Sequence, residues 1–346
     1  MTVEENVPLA PFTTLHIGGP ARYLARITTE PELLEAIHFA REKSLPIFTV
    51  GGGSNLVVPD AGFPGLILFA AIGSSARLDG SQIKVDAGVA WDDFVRSTCM
   101  LGLTGVECLA GIPGLVGGAP IQNIGAYGQE VSTTIAEVRA LDLETLAFLT
   151  LSKEECGFSY RTSIFNTTHR NRYIVTQVTF RFDRTAQPNL TYADLLKHFA
   201  NHPTPTPLEI YEAVRAIRDT KGMLIDPANP TPDSRSAGSF FKNPIVPPST
   251  LTQIAQSLSI PETEIPHWPA GPGRIKLPAA WLIERAGFPK GFTLGPVGIS
   301  TRHTLALINL SGTATCADLL NLHDKIATEV LRRFAIPLEQ EPVTLT

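Results

Sequence analysis

The chain has 346 residues, 43% hydrophobic and 18% charged, with a formal net charge of −5. That apolar content supports a substantial core shared among two or three modules, and the acidic balance offers no basic field for a phosphate backbone, which excludes nucleic acid as a partner. Cys99, Cys108, Cys156 and Cys316 are scattered without a C-x-x-C pair, so reduced, buried thiols are expected and no metal site. The opening MTVEENVPLA has no basic-then-apolar signal, and no apolar run approaches the roughly 20 residues of a membrane span, so a cytoplasmic protein with no membrane partner is expected.

In chain order, ARYLARI reads as a strand, and Thr29 with Glu32 forms a capping box opening a helix over EPELLEAIHFAREK, with Leu33, Leu34, Ile37 and Ala40 as its buried stripe. IFTV runs directly into Gly51, Gly52 and Gly53, and GLILF closes an α/β unit. A second region begins near QIKVDAGV, continues in a helix from Trp91 to Leu101, and enters a Gly-rich loop from Gly102 to Gly128. VRALDLETLAFLTLS reads as a hairpin, and IVTQVTFRFD places Ile174, Val178, Phe180 and Phe182 on one strand face. LEIYEAVRAIRDTK reads as a helix, followed by the Pro-rich linker LIDPANPTPDSR. Beyond it lie WLIERAG, strand-like TLALINL, and an amphipathic helix from Ala317 to Phe334 that turns Leu319, Leu320, Ile326, Val330 and Leu331 inward.

Two tracts carry candidate chemistry. In GGGSN, Gly51 to Asn55, consecutive backbone N–H groups can converge on a pyrophosphate as an anion nest, although an isolated Gly triplet is more often a tight turn. It is neither a Walker loop nor a G-x-G-x-x-G helix start. In GIPGLVGGAPIQNIGAYG, Gly111 to Gly128, apolar and amide residues separate the glycines; Gln122 and Asn123 suit the edge of a planar heteroaromatic ring, and Gly-Ala stretches let backbone lie flat against it. A buried loop packed on the core is the plainer alternative.

The order of these tracts, followed by CGFSYRTSIF from Cys156, LTYADL from Leu190, AVRAIRDTK ending at Lys221 and SAGSFFKNP from Ser236, resembles the UDP-N-acetylenolpyruvoylglucosamine reductases across nearly the whole chain. The resemblance implies an enzyme of peptidoglycan precursor synthesis in which NADPH, as co-substrate, reduces bound FAD, and FAD passes hydride to C3 of UDP-N-acetylglucosamine enolpyruvate. Contact with FAD is implied for Gly51, Gly52, Gly53, Ser54, Asn55 and Leu56, and for Gly111, Ile112, Pro113, Gly117, Gly118, Ala119, Gln122, Asn123, Gly125, Ala126 and Tyr127. Ser54 follows the glycines where the wider flavin group often has a covalently attaching His or Cys, so non-covalent FAD is implied.

For catalysis, Arg161 matches the family arginine, able to clamp a carboxylate bidentately as an enolate forms. Ser239 matches the proton donor to C2, a task in which position outweighs intrinsic acidity. Glu341 in LEQEPV matches the catalytic glutamate, with Glu339 as a rival. Lys221, with Arg218 three residues earlier, matches the diphosphate site, against a solvated basic face as the ordinary reading. Asn243 matches a substrate-holding residue. Tyr192 matches the tyrosine of the mobile loop in the loop-bearing subtype. Tyr160, Phe240 and Phe241 are read as packing.

The implied fold is α+β: a two-lobed vanillyl-alcohol-oxidase-type FAD-binding fold, 1–72 and 73–228, and an α+β substrate-binding domain, 229–334, with the tail 335–346 returning to the second lobe. A monomer is expected. An oxidase of the same flavin fold would share the first two tracts without needing SAGSFFKNP, and a silent nucleotide-sugar module would not need Ser, Arg and Glu together.

Overall fold

The computed structural model describes residues 1–79, 82–183, 185–188, 190–225 and 231–346. The chain separates into two units. The first comprises Met1–Val7, Ala21–Gly53 and Pro64–Thr220, and the second Pro8–Pro20, Ser54–Phe63 and Lys221–Thr346.

The first unit holds two sheets. The N-terminal sheet is ordered Val3–Pro8, Pro20–Ile27, Phe63–Ala70 and Ile47–Val50, with the last two parallel. Its helix, Glu30–Glu42, opens on the expected capping box: Thr29 accepts from the Glu32 N–H, and the Glu32 carboxylate accepts from the Thr29 N–H. The buried stripe is Leu33, Ala36, Ile37 and Ala40; Leu34, expected inside, lies at its edge and is half-buried. Spacings of three and four residues select 33, 36, 37 and 40, and full burial of Leu33 and Ile37 contributes about 1.5–3 kcal/mol each, as upper values.

The second sheet is antiparallel, ordered Phe148–Ser152, Ile135–Asp142, Tyr173–Arg181, Gln82–Asp86 and Ala76–Asp79. The hairpin read over Val138 to Ser152 is present. The strand Ala76–Asp79 was not foreseen, because all four of its residues are exposed and show no alternation. The expectation that Ile174 shares a face with Val178, Phe180 and Phe182 is overturned by a β-bulge. Arg139 pairs with Gln177 and Ala140 with Val175, leaving Thr176 as an extra residue. One unpaired residue inverts the alternation. Ile174 therefore packs with Leu141 against the N-terminal helix core, while Val175, Val178, Phe180 and Phe182 pack on the other side with Trp91 and Phe94 of the helix Trp91–Met100.

The second unit is built on the helix Cys316–Phe334. Thr315 and Asp318 form its capping box, and Asp60 accepts from the first two helical N–H groups, at 2.7 and 3.0 Å. Its buried face is Cys316, Leu319, Leu322, Ile326, Val330 and Phe334; of the residues expected inward, Leu320 is half-buried and Leu331 is 49% exposed. This face packs with Phe240, Phe241, Leu277, Leu282 and Val297. Two small sheets flank it, one of Ile245–Val246, Ile275–Lys276 and Trp268–Pro269, the other of Thr293–Leu294, Val297–Ile299 and Leu307–Asn309. Residues 226–230 of the expected linker, and with them the border at 228/229, lie outside the described residues. Among the described residues no helix is long and apolar enough to cross a membrane.

Candidate active site

In the first unit the two glycine tracts meet. A Cβ built on Gly52 would stand 2.6 Å from the Gly114 Cα, so the tracts touch backbone to backbone and Gly52 admits no side chain there, while Gly114 takes φ +126. Gly51 follows the strand Ile47–Val50 and Gly53 takes φ +64. Between Gly111 and Gly128 the chain is largely irregular, with a single 3-10 turn at Val116–Gly118 and a short pairing of Gly125–Ala126 with Gln129–Glu130. Gly117 N–H donates to the Ala87 carbonyl at 3.0 Å, and Ala119 is buried. Gly118 differs: a Cβ there meets nothing within 4 Å, leaving its backbone face open. A close double-glycine crossing and, in the second tract, an open glycine face fit the phosphates and flat ring of FAD.

Side chains outside the tract hold it in place. The Gly111 N–H donates to Asp92 Oδ1 at 2.6 Å, and its carbonyl accepts from Arg218 Nε at 3.1 Å. Asp92 Oδ2 also accepts from the Tyr211 hydroxyl at 3.1 Å and pairs with Arg215. Arg218 is thus 8% exposed and bonded to the tract. Burial lowers its pKa from the ordinary arginine value, against the raising influence of Tyr127 and Asp92, but a guanidinium stays charged. The helix Pro207–Thr220 ends one residue before Lys221, which occupies the following turn beside Gly222 at φ +65.

Glu107, unremarked in the sequence reading, is fully buried and accepts from Thr104 Oγ1, Gln129 Nε2 and the N–H groups of Gly105 and Val106, at 2.5–2.9 Å. Four donors offset the desolvation of its charge. A lone carboxylate inside the apolar run GVECLAG was the available signal. At the far end of the tract, Tyr127 sets its ring edge-on to Tyr192 with centroids 5.1 Å apart, and Tyr192 is 41% exposed.

Arg161 lies in the same unit, at φ +55 in a two-residue turn closed by mutual bonds between Ser159 and Thr162. Left-handed backbone costs a non-glycine residue roughly 1 kcal/mol. The turn is held because Arg161 Nη2 donates to the Gly125 carbonyl at 2.7 Å and the Arg161 carbonyl accepts from Asn166 Nδ2 at 3.1 Å. Its guanidinium also sits 5.6 Å from the Tyr160 ring centre, consistent with Tyr160 as packing. Gln122 is half-buried. The Asn123 side chain has every polar atom engaged by protein: Nδ2 with Glu130 and the Ser159 carbonyl, Oδ1 with the Ser132 N–H.

In the second unit, the loop carrying Ser239 runs between a strand and the C-terminal tail. On one side Ser236 bridges Ile308, and the Phe240 N–H donates to the Leu305 carbonyl at 2.8 Å. On the other, Phe241 bridges Gln340 antiparallel, the Glu341 N–H donates to the Phe240 carbonyl at 2.9 Å, and the Lys242 N–H donates to the Glu339 carbonyl at 2.9 Å. Glu341 thereby lies across from Phe240, one residue from the half-buried Ser239, while the Glu339 carboxylate pairs with Lys242. Phe240 and Phe241 are 0% and 1% exposed and anchor the loop as read. Asn243 Oδ1 accepts from the Ala279 N–H at 2.9 Å, capping the helix Ala279–Arg285. The tail 335–346 pairs within this unit through Val343–Thr344 in parallel with Leu56–Val57, its Val343 N–H on the Asn55 carbonyl at 2.9 Å. Ser54, Asn55 and Leu56 thus belong to the second unit with Ser239 and Glu341.

Thr14 and Asn309 were missed. Thr14 Oγ1 donates to the Ser236 carbonyl at 2.6 Å, and Asn309, 0% exposed, donates to the Leu15 and His16 carbonyls. These contacts join residues more than 200 apart in sequence, and no local pattern announces them.

Residues 229–345 match the family model for the UDP-N-acetylenolpyruvoylglucosamine reductase C-terminal domain, and residues 21–145 match a model for an FAD binding domain. The chain is similar to UDP-N-acetylenolpyruvoylglucosamine reductase from Thermobifida fusca (strain YX), 46% identical over 353 residues that cover 98% of this chain and 97% of the relative. It is 44% identical to the enzyme of that name from Streptomyces coelicolor, over 98% of this chain and 89% of the relative. Among solved structures, the reductase from Thermus caldophilus aligns over 100% of both chains with a TM-score of 0.67 at 28% identity.

Proposed function

This chain belongs to the UDP-N-acetylenolpyruvoylglucosamine reductase family and is an FAD oxidoreductase, and from that premise we propose that it reduces UDP-N-acetylglucosamine enolpyruvate to UDP-N-acetylmuramate at the expense of NADPH, in peptidoglycan precursor synthesis. The backbone of Gly51 to Leu56 and of Gly111 to Tyr127 would hold FAD non-covalently, and the flavin would supply hydride transfer between NADPH and C3 of the enolpyruvyl group.

Arg161 clamps the enolpyruvyl carboxylate and stabilises the charge that gathers there as C3 is reduced. Ser239 delivers the proton to C2. A serine hydroxyl is a weak acid, so its contribution depends on being held on the correct face of that carbon. Glu341 orients Ser239 and the substrate. Lys221 meets the diphosphate, Tyr192 covers the nucleotide, and Asn243 supports the substrate through the helix start that it caps. Arg218, bonded to Gly111, supports the cofactor side of the site.

The observation that carries this reading is the antiparallel clasp in which the Glu341 N–H bonds the Phe240 carbonyl and Lys242 engages Glu339. It sets Glu341 beside the serine loop, which supports Glu341 as the catalytic carboxylate. The division into flavin lobes 1–72 and 73–228, supported by their separate sheets, and a substrate lobe 229–334 is likewise proposed, with residues 8–20 and 54–63 of the first lobe grouping with the chain after Thr220. We place the protein in the cytoplasm as a monomer.

The test is spectral. The purified protein should show flavin absorption that NADPH bleaches under anaerobic conditions and that UDP-N-acetylglucosamine enolpyruvate restores. Colour returning only with oxygen would mark an oxidase, and absence of any cycle a silent module.

A further inference from the structure

Three alternate residues of the glycine-rich tract are bonded to the loop that presents Arg161. The Ile121 carbonyl accepts from Ser163 Oγ at 2.5 Å, Asn123 Nδ2 donates to the Ser159 carbonyl at 2.9 Å, and the Gly125 carbonyl accepts from Arg161 Nη2 at 2.7 Å. Of the three tract residues, only Asn123 reaches the loop through its side chain. That side chain is 0% exposed; its other bonds run to Glu130 Oε2 at 2.8 Å and from the Ser132 N–H at 3.0 Å. Its backbone holds φ +47, so the chain adopts a left-handed conformation to bring the amide to this position.

We propose that Asn123 is a positioning residue for Arg161, acting through the Ser159 carbonyl. The proposal rests on Arg161 as the substrate-carboxylate clamp. Ser159 opens the two-residue turn in which Arg161 sits, and its carbonyl accepts both the Thr162 N–H that closes the turn and the Asn123 amide that fixes the turn against the tract. Arg161 itself is bonded to Gly125, two residues beyond Asn123, and Glu130 on the paired strand receives the other Asn123 contact. The tract therefore sets the place of the guanidinium. Asn and Asp are enriched in left-handed backbone, but only the amide donates to both Ser159 and Glu130; a carboxylate there would face Glu130 with like charge.

The experiment is a double-mutant cycle on the holoenzyme with Asn123→Ala, the isosteric Asn123→Asp, and Arg161→Lys, following anaerobic flavin reduction by NADPH and reoxidation by UDP-N-acetylglucosamine enolpyruvate separately. Reoxidation should slow roughly 10- to 100-fold, the scale of an ångström-sized misplacement, and by at least several-fold more than flavin reduction by NADPH in the same variant. In the Arg161→Lys background the Asn123 change should add less than about threefold, because the group it positions is gone. Equal slowing of both half-reactions, full additivity, or loss of flavin from both Asn123 variants would overturn the proposal, the last by assigning Asn123 to cofactor retention. The wild type separates this outcome from the parent reading: a wild type that NADPH does not reduce, or that the substrate does not reoxidise, removes the functional assignment, whereas an additive cycle on a competent wild type removes only the role of Asn123.

Discussion

Gly52→Ala tests whether the crossing of the two glycine tracts holds the cofactor site together. The added Cβ would stand 2.6 Å from the Gly114 Cα, with the Gly114 nitrogen at 3.3 Å and its carbonyl carbon at 3.6 Å. Carbon atoms settle at about 3.5–4.0 Å, so the tracts must part by about 1 Å, and backbone cannot rotate away as a flexible side chain would. Overpacking of this kind costs about 1–3 kcal/mol. If that strain is relieved by opening the flavin cradle, FAD affinity falls by roughly 5- to 150-fold, each 1.4 kcal/mol being tenfold. Gly118→Ala is the matched partner. Its φ lies outside the left-handed region and its Cβ would meet no protein atom within 4 Å, so thermal stability of the apoprotein should not change, and any loss of FAD affinity reports a ligand lying on that open face. Flavin fluorescence titration of the apoproteins, with melting temperatures alongside, measures both. Wild-type FAD affinity in Gly52→Ala would refute the claim that the crossing shapes the site.

Ser239→Ala should leave NADPH reduction of the flavin intact and slow reoxidation by substrate by roughly 10²- to 10⁴-fold, the range of a general acid; stopped-flow absorbance separates the two steps. Glu341→Gln should likewise impair reoxidation, whereas Glu339→Gln, removing a carboxylate that is 72% exposed and paired with Lys242, should shift stability by less than about 0.5 kcal/mol and spare turnover; a reversed pattern would move the catalytic role to Glu339. Burial pushes the Cys99 and Cys156 thiols up to about 12 and Cys316 up to about 11, and raises Cys108 as well. At pH 8 the native protein should therefore resist iodoacetamide and take up four equivalents only on unfolding. Raised thiol values also mean that their stabilising contribution is complete below the unfolded value of about 8.5 and is lost as pH climbs toward 11–12; rapid labelling of any one cysteine would contradict its burial.

The elements legible in the sequence were those with a period and a cap. Thr29 with Glu32 marked a helix start that the structure reproduces atom for atom. The hairpin over Val138 to Ser152 was visible because its turn interrupts two apolar runs. The strand Ala76–Asp79 was invisible because it is an exposed edge with no face to bury. The face assigned to Ile174 failed on one residue, since nothing local to Thr176 says that it will stand outside the ladder. The inward positions of the last helix were misassigned at Leu331 because several leucines satisfy a loose stripe, and only the packed partners choose Leu322 and Phe334 over it.

The candidate site divides along a physical line. Glycine positions were readable because a missing side chain serves few purposes, left-handed backbone and close approach, and the Gly52–Gly114 crossing is such an approach. Polar residues were ambiguous because an amide or a carboxylate serves equally well toward ligand or toward protein. Asn123 and Arg218, both read as ligand contacts, direct polar atoms to the Ser159 and Gly111 carbonyls, and Asn243 directs its carbonyl to a helix start. The first two of these partners belong to segments that themselves carry a candidate ligand group: Ser159 precedes Arg161, and Gly111 opens the second glycine tract. A motif match alone therefore locates a functional segment without separating the residue that touches a ligand from the residue that aims it. The separation comes from counting hydrogen-bonding capacity, because a buried amide with both hydrogens and its oxygen engaged has little left for a substrate.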